Sequence, residues 1–189
     1  MNRYERRLPH WDAVGQPLFV TFRLHGSLPG NRVFPPARMS HGQAFVAMDR
    51  MLDTARTGPL WLKQPEIARM VVEAIYDGEH RFHRYTLHAF VVMANHVHLL
   101  VTPRVTAVNW LRPLKGFTGH EAMRMLSLRE KAFWQDESFD RLVRDDAEFA
   151  RIHRYIENNP VKAGLVTTPD QFLWSSATPG GSPAAGRKA

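Results

Sequence analysis

The chain contains no cysteine and no long apolar run. Its 189 residues therefore hold no disulfide framework, no thiolate metal site and no cysteine nucleophile. No stretch approaches the ~18 apolar residues of a membrane-spanning helix, and the charged start of the chain, residues 1–7, leads into no apolar signal-peptide core. No internal repeat is visible. These absences favour a soluble, cytoplasmic, globular protein without membrane association.

The charge balance is basic. The 25 Lys and Arg residues outnumber the 18 Asp and Glu residues, which gives a formal charge of +7. A basic surface on a compact domain favours a polyanionic partner, most often nucleic acid, although many ordinary proteins are basic as well. Composition makes a nucleic-acid partner plausible, but only sequence motifs can support it further.

Two histidines lie one residue apart in the short apolar run 95–101. Successive side chains of a strand point to opposite faces, so His96 and His98 share one face while the intervening apolar residues fill the other. Two imidazoles on one strand supply half of a metal site. Ordinary polar residues in a half-buried strand give the same spacing, so the pair requires a second piece of chemistry elsewhere.

Hydrophobic periodicity predicts alternating strands and helices. The first strand is predicted at 18–24, and the later ones at 85–93, 95–101 and 139–143, with the last at an edge. The helices are predicted at 43–55, 65–77, 107–128 and 145–159. We expect strands 85–93 and 95–101 to form a hairpin at the centre of the sheet. Asp77-Gly78 should end the second helix.

The third predicted helix contains an apolar stripe that favours a helix and also residues that disfavour one. Its predicted buried side is formed by Trp110, Leu114, Phe117 and Met125. Pro113, Gly116 and Gly119 should kink or weaken it.

The last helix carries the second piece of chemistry. Asp145 can cap it and Glu148 can complete a capping box, while Pro160 should end it at Asn159. Tyr155 and Asn159 are four residues apart and share a face beside the buried stripe. That stripe is formed by Phe149, Ile152 and Ile156. A phenol and an amide are therefore expected at the rim of the core.

A histidine pair, a helical tyrosine and a basic surface suggest that Tyr155 attacks a phosphodiester. A phenol is a weak nucleophile at neutral pH, but a divalent cation that polarises the phosphate makes the attack feasible. Two imidazoles and one amide oxygen would leave positions open on an octahedral Mg²⁺ or Mn²⁺ ion. A lone helical tyrosine is otherwise most often a packing residue.

The motifs resemble those of a known family. Asn95-His96-Val97-His98, followed far downstream by the Arg-Tyr-Ile-Glu-Asn-Asn-Pro-Val-Lys-Ala-Gly-Leu segment at 154–165, resembles the REP-associated tyrosine transposases, a branch of the single-tyrosine HUH transposases. Stretches at 7–11, 19–24, 133–135, 139–141 and 174–176 resemble the same family. The resemblance spans about residues 6–177, and the combination of motifs in this order is far more specific than the histidine motif alone. Ala94 departs from the proline that relatives often have there.

The resemblance implies an α+β fold, a ferredoxin-like (RRM-like) domain whose central antiparallel strands hold the histidines. It implies that His96 and His98 are ligands of Mg²⁺ or Mn²⁺, that Tyr155 is the nucleophile and that Asn159 is the third ligand. The family cuts single-stranded DNA beside repetitive extragenic palindromic hairpins. Cleavage leaves a 5′-phosphotyrosine and a free 3′-OH, from which strands can be rejoined.

Three segments follow from this reading: a basic DNA-contacting segment at 1–15, a single transposase domain at 16–176 and a disordered tail at 177–189. The N-terminal candidates for DNA binding are Arg3, Arg6, Arg7 and Trp11. The candidates around the site are Lys115, Arg141, Arg144, Arg151, Arg154 and Lys162. Each of these charges taken singly is more often a solvated surface residue.

Two other readings compete with a transposase. A histidine-triad nucleotide hydrolase would need a third histidine where Leu100 stands, so that reading fails. A non-catalytic module that binds single-stranded DNA or RNA hairpins, with Tyr155 merely packed, stays open. We expect a monomer, with a dimer as the alternative.

Overall fold

The computed structural model describes residues 2–5, 9–28, 41–53, 58–129 and 132–179, and side chains within these ranges from residue 13 onward except at 41–46. The strands are β1 (Asn2–Glu5), β2 (Pro9–Asp12), β3 (Leu18–Arg23), β4 (Tyr85–Val92), β5 (His96–Pro103) and β6 (Phe139–Leu142). The α-helices are α1 (His41–Asp53), α2 (Pro65–His80), α3 (Ala107–Met125) and α4 (Asp146–Lys162). Short 3₁₀ turns cover Trp61–Lys63 and Pro169–Gln171.

Strands β3 to β6 form one antiparallel sheet in the order β4-β5-β3-β6. The chain runs β3, α2, β4, β5, α3, β6, which is the ferredoxin-like order of elements. The predicted α+β, ferredoxin-like fold is therefore confirmed. The predicted hairpin of β4 and β5 is also present, but β4 lies at an edge, and the two central strands are β5 and β3.

The sheet separates two cores. Val97, Leu99 and Val101 lie in the core shared with α2 and α3. Leu100, on the opposite face of β5, lies in a second core with Ile156 of α4. The histidines share this second face, because their positions have the same parity as Leu100. One face of the sheet thus builds the bulk of the core, and the other holds the site.

Helix α2 extends past its predicted end at Asp77-Gly78 to His80. A Cβ at Gly78 would overlap the phenol of Tyr85, whose hydroxyl donates a hydrogen bond of 2.6 Å to the carbonyl of Ile75. The glycine therefore serves close packing inside the helix instead of terminating it.

Helix α3 continues through Pro113 and ends at Met125, not at residue 128. Half of its predicted buried side is wrong, because Phe117 and Met125 are 56% and 40% exposed. The indole of Trp134 covers this helix instead. Its Nε1 donates to Thr118 Oγ1 at 2.9 Å, and a Cβ at Gly119 would lie only 3.2 Å from its Cδ1. Small residues, not apolar ones, therefore form this contact.

Helix α4 begins as predicted and ends later than predicted. Asp145 caps it by accepting a 2.7 Å hydrogen bond from the Glu148 amide. The capping box is not completed, because the Glu148 carboxylate accepts from the Arg144 amide. The helix continues past Pro160 to Lys162. Pro160 removes the amide that would bond to the Ile156 carbonyl, but only two helical residues follow it, so the distortion is confined to the last turn.

Segments before β3 and after α4 complete the fold. Before the predicted first strand at 18–24, β1 and β2 pair antiparallel as a separate two-stranded sheet, with Arg3 opposite Trp11. After the 3₁₀ turn at Pro169–Gln171, the chain returns along β4. There the Val92 amide donates to the Trp174 carbonyl at 2.8 Å, and the Ser176 amide donates to the Phe90 carbonyl at 3.0 Å. Most of the predicted tail, residues 180–189, lies outside the described residues. Within the described part of the chain as a whole, no helix has the length and apolarity needed to cross a membrane.

Candidate active site

The two histidines lie side by side on the central strand β5. Both side chains are fully buried, and their Nε2 atoms are 3.1 Å apart. Strand β3 pairs with this segment so that Thr21 lies opposite His98 and Arg23 opposite His96. The predicted placement of both imidazoles on one face is therefore correct.

Hydrogen bonds on the far side of each ring fix its orientation. His96 Nδ1 lies 2.7 Å from Asn95 Oδ1, and the Asn95 amide nitrogen donates to the Leu52 carbonyl at 3.1 Å. This second bond identifies Oδ1 as the acceptor, so the proton is on His96 Nδ1 and a lone pair is on Nε2. His98 Nδ1 contacts Thr21 Oγ1 at 2.7 Å. Both Nε2 atoms thus face each other from oriented rings.

Helix α1 brings two carboxylates to the pair. Asp49 Oδ1 lies 2.9 Å from His98 Nε2 and 3.7 Å from His96 Nε2. Asp53, one turn later, places its Oδ1 3.7 Å from His96 Nε2. Ligand atoms of Asp49, His96 and His98 all lie within 4.8 Å of one another, which makes these residues a candidate metal group.

Burial and mutual charge set the protonation states of this group. Burial and the neighbouring His98 lower the pKa of His96 to about 3, although Asp49 acts in the opposite direction. Burial alone would raise the pKa of Asp49, but His98, His96 and Lys162 lower it overall. Burial and the charge of Asp49 raise the pKa of Asp53 to about 7. At neutral pH the cluster therefore presents a neutral His96 and an ionised Asp49, the forms that bind a metal.

Tyr155 of α4 contacts the same cluster. Its hydroxyl donates a hydrogen bond to Asp49 Oδ2, and its ring lies 5.8 Å from the ring of His98, centroid to centroid. Phe19 packs against it edge-on, and Lys162 Nζ lies 4.3 Å from the ring centroid. The histidine pair and the helical tyrosine, 57 positions apart at the closest, are therefore parts of one site.

Asn159 lies one helical turn beyond Tyr155 and is fully buried. Neither its amide oxygen nor its amide nitrogen has a hydrogen-bond partner among the described residues. A buried amide is costly without a partner, and a metal ion is one kind of partner that would satisfy its oxygen. The assignment of Asn159 as a ligand stays a prediction.

Several predicted DNA contacts have partners within the protein. Lys115 Nζ donates to the carbonyls of Gln135 and Asp136 at 2.7 and 2.8 Å. Arg141 and Arg144 both pair with the buried carboxylate of Glu148. The exposed cations on α4 are Arg151, Arg154 and Lys162. Arg3 and Trp11 lie in the β1–β2 hairpin, whereas Arg6 and Arg7 fall outside the described residues.

Asp49 and Asp53 are the site residues that the sequence did not reveal. Their spacing of four residues on a predicted helix is the signal that the sequence offers, because it places both carboxylates on one face. Nothing local in the sequence indicates that this helix reaches the histidine strand.

These features, a ferredoxin-like sheet with a buried histidine pair and a helical tyrosine beside it, define a family. The family model described as transposase, IS200-like, matches residues 63–159, just over half of the chain. The chain therefore belongs to the IS200-like transposase family, which implies a DNA-processing enzyme. The match includes both histidines, Tyr155 and Asn159, but neither Asp49 nor Thr21.

A solved structure of a REP-associated tyrosine transposase bound to a REP hairpin is similar in fold. The TM-score is 0.57 at 19% sequence identity, over 93% of this chain and 82% of the other. At this identity the likeness concerns the fold. No curated protein sequence matches the chain significantly.

Proposed function

We propose that the protein is a metal-dependent endonuclease and strand transferase for single-stranded DNA, acting at repetitive extragenic palindromic hairpins through a 5′-phosphotyrosine. The observation that carries this proposal is the hydrogen bond from the Tyr155 hydroxyl to Asp49, whose other oxygen lies 2.9 Å from His98 Nε2. A phenol that merely packs would not need to approach a cluster of metal-binding side chains.

In the proposed step, Tyr155 Oη attacks the scissile phosphorus. The phenolic proton leaves along the hydrogen bond to Asp49, a bond forms between Oη and phosphorus, and the bond from phosphorus to the 3′-oxygen breaks. The 3′-oxygen takes up a proton from solvent and becomes the free 3′-OH. Because the tyrosyl ester retains the phosphodiester, the reverse reaction with another 3′-OH rejoins strands without an external energy source.

The donor set fits a divalent cation. His96 offers the lone pair of Nε2, and Nε2 of His98 faces the same cluster. The oxygen of Asn159, which has no hydrogen-bond partner among the described residues, is the third ligand of the proposal. Mixed nitrogen and oxygen donors with positions left open suit Mn²⁺ or Mg²⁺. When bound, the cation would polarise the scissile phosphate and offset charge that develops on it.

Hairpin DNA is the proposed partner. The net charge of +7 and the exposed Arg151, Arg154 and Lys162 on the nucleophile helix support a polyanion at this face. The similar solved structure is bound to such a hairpin. We assign the basic segment 1–15 to DNA contact and residues 16–176 to the transposase domain. A cytoplasmic, nucleoid-associated location follows from this substrate.

A monomer is the proposed active unit. The histidines, Asp49 and Tyr155 of one chain contact one another, so the phenol reaches a metal group of its own chain. A shared site would require the phenol to come from a second copy.

Covalent capture tests the proposal. Labelled hairpin DNA from repeats flanking the gene is incubated with the protein and Mg²⁺ or Mn²⁺, then separated on a denaturing gel. We expect a metal-dependent protein–DNA band that Tyr155→Phe abolishes and Tyr76→Phe, on α2, leaves intact. Tight hairpin binding without any covalent band, across several repeats and both metals, would favour the non-catalytic binding module instead.

A further inference from the structure

Helix α1 carries an unassigned component of the metal site. We infer that Asp49 is itself a metal ligand and that its carboxylate bridges the bound cation and the nucleophile Tyr155. The inference deepens the proposed function and rests on it. It concerns a residue that lies outside the stretch matched by the family model, residues 63–159.

The two oxygens of Asp49 have different neighbours. Oδ1 lies 2.9 Å from His98 Nε2 and 3.7 Å from His96 Nε2, whereas Oδ2 accepts the hydrogen bond of the Tyr155 phenol. The side chain is only 5% exposed, so water does not compete for these contacts. One carboxylate therefore contacts both halves of the proposed chemistry at once.

The surroundings of Asp49 contain more electron-rich atoms than donors. The protonated Nδ1 of His96 donates a hydrogen bond to Asn95 Oδ1, so the lone pair of His96 Nε2 is directed into the cluster. Asp53 Oδ1 and the amide oxygen of Asn159 are buried without a hydrogen-bond partner among the described residues. Burying several carboxylate oxygens and lone pairs close together without hydrogen-bond donors is energetically unfavourable. A cation bound between them would offset this cost.

The distances to the histidines indicate that Asp49, and not Asp53, is the metal ligand. Both acids lie on the same face of α1, but only Asp49 belongs to the group whose ligand atoms are within 4.8 Å of one another. Asp53 contributes negative potential at 3.7 Å from His96 and has no described contact with Tyr155. Asp53 is thus the natural control, because it has the same side chain on the same helix but a longer closest distance to a histidine, 3.7 Å against 2.9 Å for Asp49.

The bridge couples metal loading to the position of the nucleophile. A cation held by Oδ1 orients the carboxylate, and the carboxylate in turn holds the phenol beside the cation through Oδ2. Loss of Asp49 is therefore expected to weaken the metal and to release Tyr155 at the same time.

The first test measures metal binding without DNA. Mn²⁺ is titrated into the full chain by calorimetry, and the Mn²⁺-induced rise in Tm is recorded for the native protein, Asp49→Asn, Asp53→Asn and His98→Ala. We expect Asp49→Asn and His98→Ala to weaken Mn²⁺ binding about tenfold or more and to lose the rise in Tm, and Asp53→Asn to change affinity less than about threefold. Equal losses in Asp49→Asn and Asp53→Asn would mean that Asp49 acts only through its field, and the ligand assignment would be overturned. Native affinity in Asp49→Asn would overturn it as well.

A second test does not depend on how well the asparagine variant folds. Because the chain has no cysteine, Asp49→Cys introduces its only thiol. Loading this variant with Co²⁺ should produce a thiolate-to-cobalt charge-transfer absorption, and Asp53→Cys should produce none. Absence of the band in both variants, with Co²⁺ bound, would overturn the inference.

The covalent-capture assay separates the two proposals. A native protein that captures DNA, together with metal binding that ignores Asp49, would leave the proposed function intact and remove the bridge. A charge-transfer band in Asp49→Cys without DNA capture by the native protein would establish the ligand and overturn the catalytic reading.

Discussion

The amide oxygen of Asn95 lies 2.7 Å from Nδ1 of His96, and this contact decides which nitrogen of the ring faces the cluster. The residue immediately before the histidine motif is thus part of the site. Its amide nitrogen is anchored on the Leu52 carbonyl of α1, so Asn95 also links the histidine strand to the helix that carries Asp49.

Replacing Asn95 by alanine should weaken the metal site. The ring of His96 would lose the partner that fixes its tautomer, and we expect about a tenfold loss of Mn²⁺ affinity with about 1–3 kcal/mol less stability. Calorimetric titration and urea unfolding measure the two effects. Asn109→Ala, at an exposed position of α3, is the control and should change neither. A loss of stability with native Mn²⁺ affinity would show that Asn95 only supports the fold.

Lys162 should assist the reaction at Tyr155. Its ammonium lies 4.3 Å from the centroid of the Tyr155 ring, where positive charge favours both a phosphate and a developing phenolate. We expect Lys162→Gln to slow single-turnover formation of the covalent adduct about tenfold at saturating DNA. Lys162→Arg should restore most of the rate, and Lys63→Gln, an exposed lysine elsewhere, should have no effect. A native rate in Lys162→Gln would mean that this lysine takes no part in the reaction.

The Glu148 carboxylate should make stability depend on pH in the acid range. It is 4% exposed, and hydrogen bonds and charges from Arg144 and Arg141 lower its pKa from 4.5 to about 2. A carboxyl whose pKa is depressed by folding contributes stability that is complete above its unfolded pKa and is lost as the pH falls towards the folded one. The difference in unfolding free energy between the native protein and Glu148→Gln should therefore be constant from neutral pH down to about 5 and shrink between about 4.5 and 2.

The control for this prediction is Glu121→Gln. Glu121 pairs with Arg124 on an exposed part of α3, and such pairs contribute about 0–1 kcal/mol. We expect Glu148→Gln to cost about 1–3 kcal/mol at pH 7. Equal costs for the two variants in urea unfolding would refute the structural role of Glu148.

Two glycines in helices should respond to alanine in opposite directions. At Gly78 a Cβ would overlap the Tyr85 phenol, so Gly78→Ala should destabilise the protein by about 1–3 kcal/mol or displace that ring. At Gly116 a Cβ would meet nothing within 4 Å, so Gly116→Ala should stabilise α3 by about 0.5–1 kcal/mol. Thermal unfolding of the two variants measures the difference, and a shift of the same sign in both would contradict it.

The sequence predicted what depends on local periodicity. Alternation along β5 is enough to place His96 and His98 on one face, and apolar spacing is enough to find each helix of the domain. The position of Tyr155 beside the histidines came from the family resemblance, since nothing in helical spacing says which strand a helix face will contact.

The failures concern contacts between residues far apart in the chain. Asp49 joins the site because α1 folds over the histidine strand, and no pattern around residue 49 records this. Helical spacing predicts that Phe117 is buried, but the indole of Trp134 packs against the small residues Thr118 and Gly119 instead. Pro160 lies inside its helix instead of ending it, and the helix continues for only two residues beyond it, to Lys162.

The segment that returns along β4 also protects the outer edge of this strand from pairing with other copies of the protein. With residues 174–176 in place, the outer backbone groups of Phe90 and Val92 are already hydrogen-bonded. A chain cut before Trp174 would present them as an open template, ready to pair with the same edge of another copy and to seed β-sheet aggregates. Residues 174–176 therefore favour the solubility of the domain by covering this edge of the sheet, a role that is independent of DNA binding.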